Sequence, residues 1–266
     1  MAGSTIAKVR KAMRFVCILL LSIFAFAIVA PSSHAGCQDP KKQDEPKKEP
    51  TEESKAALQE AIDGLAEALK DKEESTIKEM IDKITTKYEG GDASLQGKAV
   101  SALKKCLKNK VKSIRNAAIV GLSNTGGSAI KILLKGAKTA KKDAGLQQRY
   151  INAAGKLRDE KAIGDITKYL NNKNNNTIKS AIYALGYYNE SSTKVRKDIV
   201  KSLLKVYASV ASAFSKPNPD TSDKEKYEAL FNPFESTLKK LTKQEMQGAD
   251  VWNRWFRKDG KKRKEW

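Results

Sequence analysis

Two residue types in this chain bear directly on chemistry, and both are scarce. His34 is the single histidine among 266 residues, and Cys17, Cys37 and Cys106 are the three cysteines. An imidazole can act as general base or metal ligand, and a thiolate as nucleophile, metal ligand or acceptor of a covalent group. Position decides which of these uses remains. His34 and Cys37 stand directly behind an apolar run from Phe15 to Ala30, which contains Cys17. Lys8, Arg10, Lys11 and Arg14 precede that run and Pro31 ends it. A basic start, an apolar stretch and small residues behind it are the layout of an export signal.

Two processing events fit this segment. Ser33-His34-Ala35 places small residues on either side of a bulky one, which suits cleavage after Ala35. Ala35-Gly36-Cys37 resembles the end of a bacterial lipobox, in which Cys37 would receive a lipid. His34 stands where that motif wants Leu, and Pro31 lies between the apolar run and the cysteine, which tips the reading towards simple secretion. A retained membrane anchor is the third option and the run is short for one. The expected location is therefore the periplasm or cell envelope, with a tether at Cys37 if it is lipidated and no other membrane contact.

Either cleavage removes His34 and leaves a mature chain without an imidazole. That excludes Ser-His-Asp and Cys-His catalysis and every metal site built on histidine. Cys106 keeps company with Leu103 and Leu107 at helical spacing, the pattern of a small buried hydrophobe rather than a reactive thiol. Neither a phosphate-cradling Gly-x-x-x-x-Gly-Lys nor a Gly-x-Ser-x-Gly elbow is present. We expect no catalytic residue, no metal, no cofactor and no small-molecule substrate.

Charge points to partners instead. The chain carries a formal net charge of +20, which attracts anionic surfaces. Lysine outnumbers arginine and is spread among acidic residues along the whole chain. Arginine is the residue of bidentate phosphate and base contacts. With an export signal in front, nucleic acid is disfavoured against an anionic envelope surface.

Positioning elements follow from periodicity. Gln38 to Glu53 lacks large apolar residues and is rich in Pro, Lys and Glu, so residues 36–53 read as a disordered tether. From Ser54 apolar residues recur at three and four, the spacing of one helix face. Leu58, Ile62, Leu65 and Leu69 form one stripe, and Ile77, Ile81 and Ile84 the next. Asp92 and Thr177 are expected N-caps. The helix over residues 112–123 is expected to be answered by a return helix with Ile130, Leu133 and Leu134. No alternating strand pattern of useful length occurs.

Within this helical stretch one pattern returns. Ile114-Arg115-Asn116-Ala117-Ala118 runs on to Gly121-Leu122, and Thr177-Ile178-Lys179-Ser180-Ala181 runs on to Ala184-Leu185-Gly186. Between them, Ala153 is followed four residues later by Leu157. Residues i and i+4 share a face, so Ala118 with Leu122, Ala153 with Leu157 and Ala181 with Leu185 should each bury one stripe, with a small residue admitting the neighbouring helix. The order of types resembles the HEAT repeat of the armadillo-like superfamily, in a secreted or lipid-anchored bacterial form. The resemblance implies a right-handed α-solenoid of stacked antiparallel hairpins over residues 54–242, and a surface for a protein partner. At residues 243–266, Trp252, Trp255 and Phe256 share a helix face: either a helix capping the last repeat or an aromatic recognition surface. The basic residues behind them are expected to fray. The function these observations imply is a non-catalytic interaction scaffold; the alternative is a basic adhesion module for an anionic polymer.

Overall fold

The computed structural model describes residues 49–266. The export segment, the cleavage candidate Ala35, the lipid-anchor candidate Cys37 and most of the tether lie outside the described residues. Among these residues the chain forms eleven α-helices and no strand. Glu52–Asp71 (α1) and Glu74–Lys87 (α2) make the first hairpin. Ala93–Cys106 (α3) and Lys112–Leu122 (α4) make the second, and Ile130–Thr139 (α5) and Ala144–Lys156 (α6) the third. Ile163–Lys168 (α7) and Asn175–Gly186 (α8) form the fourth, and Thr193–Phe214 (α9) and Thr221–Thr242 (α10) the fifth, before a last helix, Ala249–Trp255 (α11).

Side-chain caps fix where several helices begin, by satisfying amides that the first turn leaves free. Asp92 Oδ1 accepts from Leu95 N at 2.9 Å, and Asp143 Oδ1 accepts from Leu146 N at 2.9 Å. The cap of α8 is Asn174, whose Oδ1 accepts from Asn176 N at 2.9 Å and Thr177 N at 3.2 Å. Thr177, expected to be that cap, is instead fully buried and gives its hydroxyl to Gln147 Oε1 at 3.4 Å. The Asn-rich loop supplies a better acceptor one turn earlier. Arg115, the arginine of the repeat pattern, donates to Asn109 O at 2.8 Å and Lys110 O at 2.7 Å, closing the loop between α3 and α4.

The helices sort into two layers. In one, α2, α4, α6, α8 and α10 each pack on the next. In the other, α1 packs on α3, α3 on the turn leading into α5, α7 on α9, and α9 on α11. This arrangement, each hairpin meeting its neighbours in sequence, is an α-solenoid. It also corrects one pairing. The partner of α4 is α3, and α5 pairs with α6. The Asn124–Gly127 turn joins two hairpins rather than the two arms of one.

Small residues set the spacing between helices, most sharply at Gly155. A Cβ at this position would lie 2.6 Å from Ala184 Cβ and 2.7 Å from the Ala184 backbone, so α6 and α8 meet backbone to backbone. Gly121 approaches Thr85 of α2, and Gly186 approaches Thr237 of α10, more loosely. Ile114, Ala118 and Leu122 of α4 and Ala181 and Leu185 of α8 are all at most 1% exposed. In α6 the covered positions include Ile151 and Ala154, both 0% exposed, and Gly155, also buried. Ala153 is buried near the surface of the layer, and Leu157 lies half-buried beyond the helix end. The middle copy is thus displaced from the expected Ala153–Leu157 pair. Its large and small residues have exchanged places: Ile151 fills the volume and Gly155 admits the neighbour.

The far end is closed by α11. Trp252 is fully buried, Phe256 is buried and Trp255 is partly so, packed edge-on to Trp252 at 5.9 Å between ring centroids. Trp252 and Phe256 therefore pack as a cap, with Trp255 partly exposed beside them, because the last repeat would otherwise leave its apolar end open to water. The basic tail does not fray either. The Trp266 ring lies against Trp255 and Phe256, and its indole N–H donates to Gly260 O at 2.9 Å. Arg196 and Lys197 of α9 hold the segment through its main-chain oxygens, at Trp266 (3.1 Å) and Lys261 (2.9 Å).

Candidate functional site

The open face of the α4–α6–α8–α10 layer carries a groove of about 550 Å³. Each helix turns its repeat core inward and therefore presents the residues between core positions to this face. From α4 come Asn116, Ile119, Val120 and Ser123; from α6, Arg149, Asn152, Ala153 and Lys156. Tyr183, Gly186 and Tyr187 follow from the end of α8, and Ser236, Thr237 and Lys240 from α10. The spacing of three and four within each helix is the same signal that placed the core, read one face over.

Three features of this surface stand out physically. Val120 and Tyr183 are 53% and 44% exposed, two of the few large apolar side chains open to solvent among the described residues. Both lie in the groove, whereas the other two, Val111 and Val251, do not. The Oδ1 atoms of Asn116 and Asn152 are buried without a hydrogen-bond partner. A buried acceptor without a donor costs about 1–3 kcal/mol, and Asn189 Oδ1, Arg196 Nε and Trp255 Nε1, outside the groove, are buried in the same way. Finally, the charged residues of the lining are Arg149, Lys156 and Lys240, and no carboxylate is among them. None of the three forms an ion pair among the described residues, and Lys240 sits over the Tyr187 ring at 5.3 Å from its centroid.

Of the residues expected to matter from sequence, Ala153 lines the groove, and Ile114, Ala118, Leu122, Ala181 and Leu185 form the packed layer behind it. Leu157, Trp252, Trp255 and Phe256 lie elsewhere. Asn116, Asn152, Arg149, Tyr183, Tyr187 and Lys240 were not singled out by sequence. Cys106 is fully buried and gives its thiol to Ala102 O at 3.7 Å, and burial pushes its pKa up to about 11, so it is a core residue and not a nucleophile.

No family model matches the chain. No curated protein matches it either. Solved structures similar to it include a designed armadillo repeat protein in complex with the peptide (KR)4, at 17% identity and a TM-score of 0.35, over 68% of this chain and 86% of that one. A second designed armadillo repeat protein is similar at 15% identity and a TM-score of 0.33, over 73% of this chain and 96% of that one. The class of the protein, an all-α solenoid, rests on its own two-layer packing.

Proposed function

We propose that the chain is an exported, non-catalytic scaffold whose groove holds an extended segment of a partner protein. The observation that carries this reading is an open groove across four helices that exposes Val120 and Tyr183 and is lined by the polar side chains of Asn116 and Asn152. A peptide group offers both a donor and an acceptor, and so completes an Asn side chain in either orientation. Apolar side chains of the same segment would cover Val120 and Tyr183. The lining contains no carboxylate, imidazole or thiol that could serve as general base or nucleophile. Export, to the periplasm or envelope with or without a lipid at Cys37, rests on the basic and apolar pattern of residues 1–35.

A photoreactive phenylalanine analogue at Tyr183, compared with one at exposed Lys201 on the opposite layer, tests the groove. In extracts of the native host, protein adducts specific to position 183 are expected. Equal crosslinking at the two positions would remove the groove from the proposal. The net charge of +20 supports the second reading, adhesion to an anionic polymer. Under it, adducts would vanish in high salt and polymer or lipid would be released.

A further inference from the structure

We infer that the segment taken by this groove is acidic: an extended peptide in which carboxylate side chains alternate with apolar ones. The inference rests on the groove being a polypeptide site and adds the chemistry of its occupant. Arg149 and Lys156 on α6 and Lys240 on α10 are solvent-facing cations along the groove, and none has an ion-pair partner among the described residues. Elsewhere on the molecule several cations are matched: Lys138 and Lys168 share Asp165 at 3.2 and 2.8 Å, Lys239 meets Glu245 at 2.7 Å, and Arg158 meets Glu190. The lining of the groove holds three cations and no acid. A basic segment would meet like charges there, and a neutral one would leave the cations unanswered.

The apolar groups beside the cations set the remaining chemistry. Val120 of α4 and Tyr183 of α8 lie exposed in the same groove, and an extended chain points successive side chains to opposite sides. Helices pack about 8–10 Å apart and an extended chain advances about 3.3 Å per residue. Crossing from α4 to α10 therefore takes about eight or nine residues. A polyphosphate would satisfy the cations, but it brings neither apolar side chains for Val120 and Tyr183 nor N–H donors for the polar lining. A peptide brings both, which favours an acidic polypeptide over other polyanions.

A random decapeptide library selected on the immobilised full-length chain tests this. Counter-selection uses two variants, Arg149→Glu/Lys240→Glu and the milder Arg149→Gln/Lys240→Gln, with Lys201→Glu/Lys205→Glu on the outer layer as the charge-matched control. Circular dichroism establishes that each is folded, and the glutamine pair serves if the glutamate pair is not. We expect enrichment of Asp and Glu interleaved with apolar residues. Selected peptides should bind at least about tenfold more weakly to the groove variants and unchanged to the outer-layer control. Groove-dependent peptides without an acidic excess would overturn the acidic inference and leave the polypeptide reading intact. No groove-dependent enrichment would overturn both. Displacement of selected peptides from the groove by phosphatidylglycerol vesicles or a single-stranded oligonucleotide, at equal charge concentration, would assign the cations to a polyanion and overturn the inference as well.

Discussion

Glu235 of α10 accepts the indole N–H of Trp252 of α11, at 3.0 Å through Oε2. Its other oxygen accepts Tyr207 O–H from α9 at 2.6 Å and the Gly248 amide at 2.9 Å. Three donors from three directions converge on one side chain that is only 6% exposed. A carboxylate, which only accepts, matches such a set; an amide must turn an N–H towards a donor. The last hairpin and the cap are therefore joined by one acid. Glu235→Gln is expected to cost about 2 kcal/mol and Glu235→Ala about 3–5 kcal/mol, since the latter strands three buried donors. Urea unfolding would register both as lower midpoints. A Glu235→Ala midpoint equal to the parent's would show that the three donors find other acceptors.

The C-terminal segment yields a second prediction. Arg196 is a buried guanidinium whose Nη1 donates to Leu241 O at 3.0 Å and whose Nη2 donates to Trp266 O at 3.1 Å. Trp266→Ala removes a ring that covers Trp255 and Phe256 and should free residues 257–266 from α9. Tryptic cleavage at Lys261–Lys264 should quicken by about tenfold or more, while stability falls by about 1–2 kcal/mol for the lost apolar contact. Unchanged cleavage would mean that Lys197 and Arg196 hold the segment without the ring.

How much of this was readable beforehand depended on which force set each feature. The helices and the core face were legible because burial imposes a spacing of three and four, and Ile114, Ala118, Leu122, Ala181 and Leu185 obey it. The register of α6 was not, because Ile151 and Gly155 exchange the large and small roles of the other copies. Hairpin pairing was ambiguous, since the turns on both sides of α4 are short and polar, and only three-dimensional packing separates them. The groove was hidden for a different reason. Asn116, Asn152, Arg149 and Lys240 look like ordinary solvated residues until three helices, α4, α6 and α10, bring them to one groove. The role of Glu235 was equally unreadable, because its donors come from Tyr207, Gly248 and Trp252, on three separate segments.

Close approach at Gly155 gives a third prediction. An added Cβ would meet both the side chain and the backbone of Ala184, and backbone cannot yield by rotating. Gly155→Ala is expected to destabilise by about 1–3 kcal/mol, the range of overpacking, in spite of the helix propensity gained. The same change at Gly97 of α3, where a Cβ would meet nothing within 4 Å, should stabilise by about 0.5–1 kcal/mol. Thermal melting of the two variants should move in opposite directions. A rise in both would mean that α6 and α8 part without loss.

Alkaline pH provides the fourth. Burial raises the pKa of Cys106 from 9.0 to about 11. Burial first, and then the hydrogen bond to Glu235, holds Tyr207 far above the ordinary tyrosine value of 10.0, and burial likewise raises Tyr188, whose O–H donates to Asp159 O at 2.8 Å. These groups are neutral when folded and ionise more easily when unfolded. Their contribution is complete below the unfolded pKa values and is lost as pH rises through the folded ones. Stability should therefore hold up to about pH 9 and fall steadily above it, with Cys106 alone accounting for about 2–3 kcal/mol by pH 11. Cys106→Ala starts lower, because it leaves a small cavity, but its loss between pH 9 and 11 should be shallower by that amount. Tyr207→Phe should flatten the decline above pH 10. Urea midpoints measured from pH 8 to 11 decide the matter: parallel curves for parent and Cys106→Ala would mean that the thiol ionises as readily in the fold as in the unfolded chain.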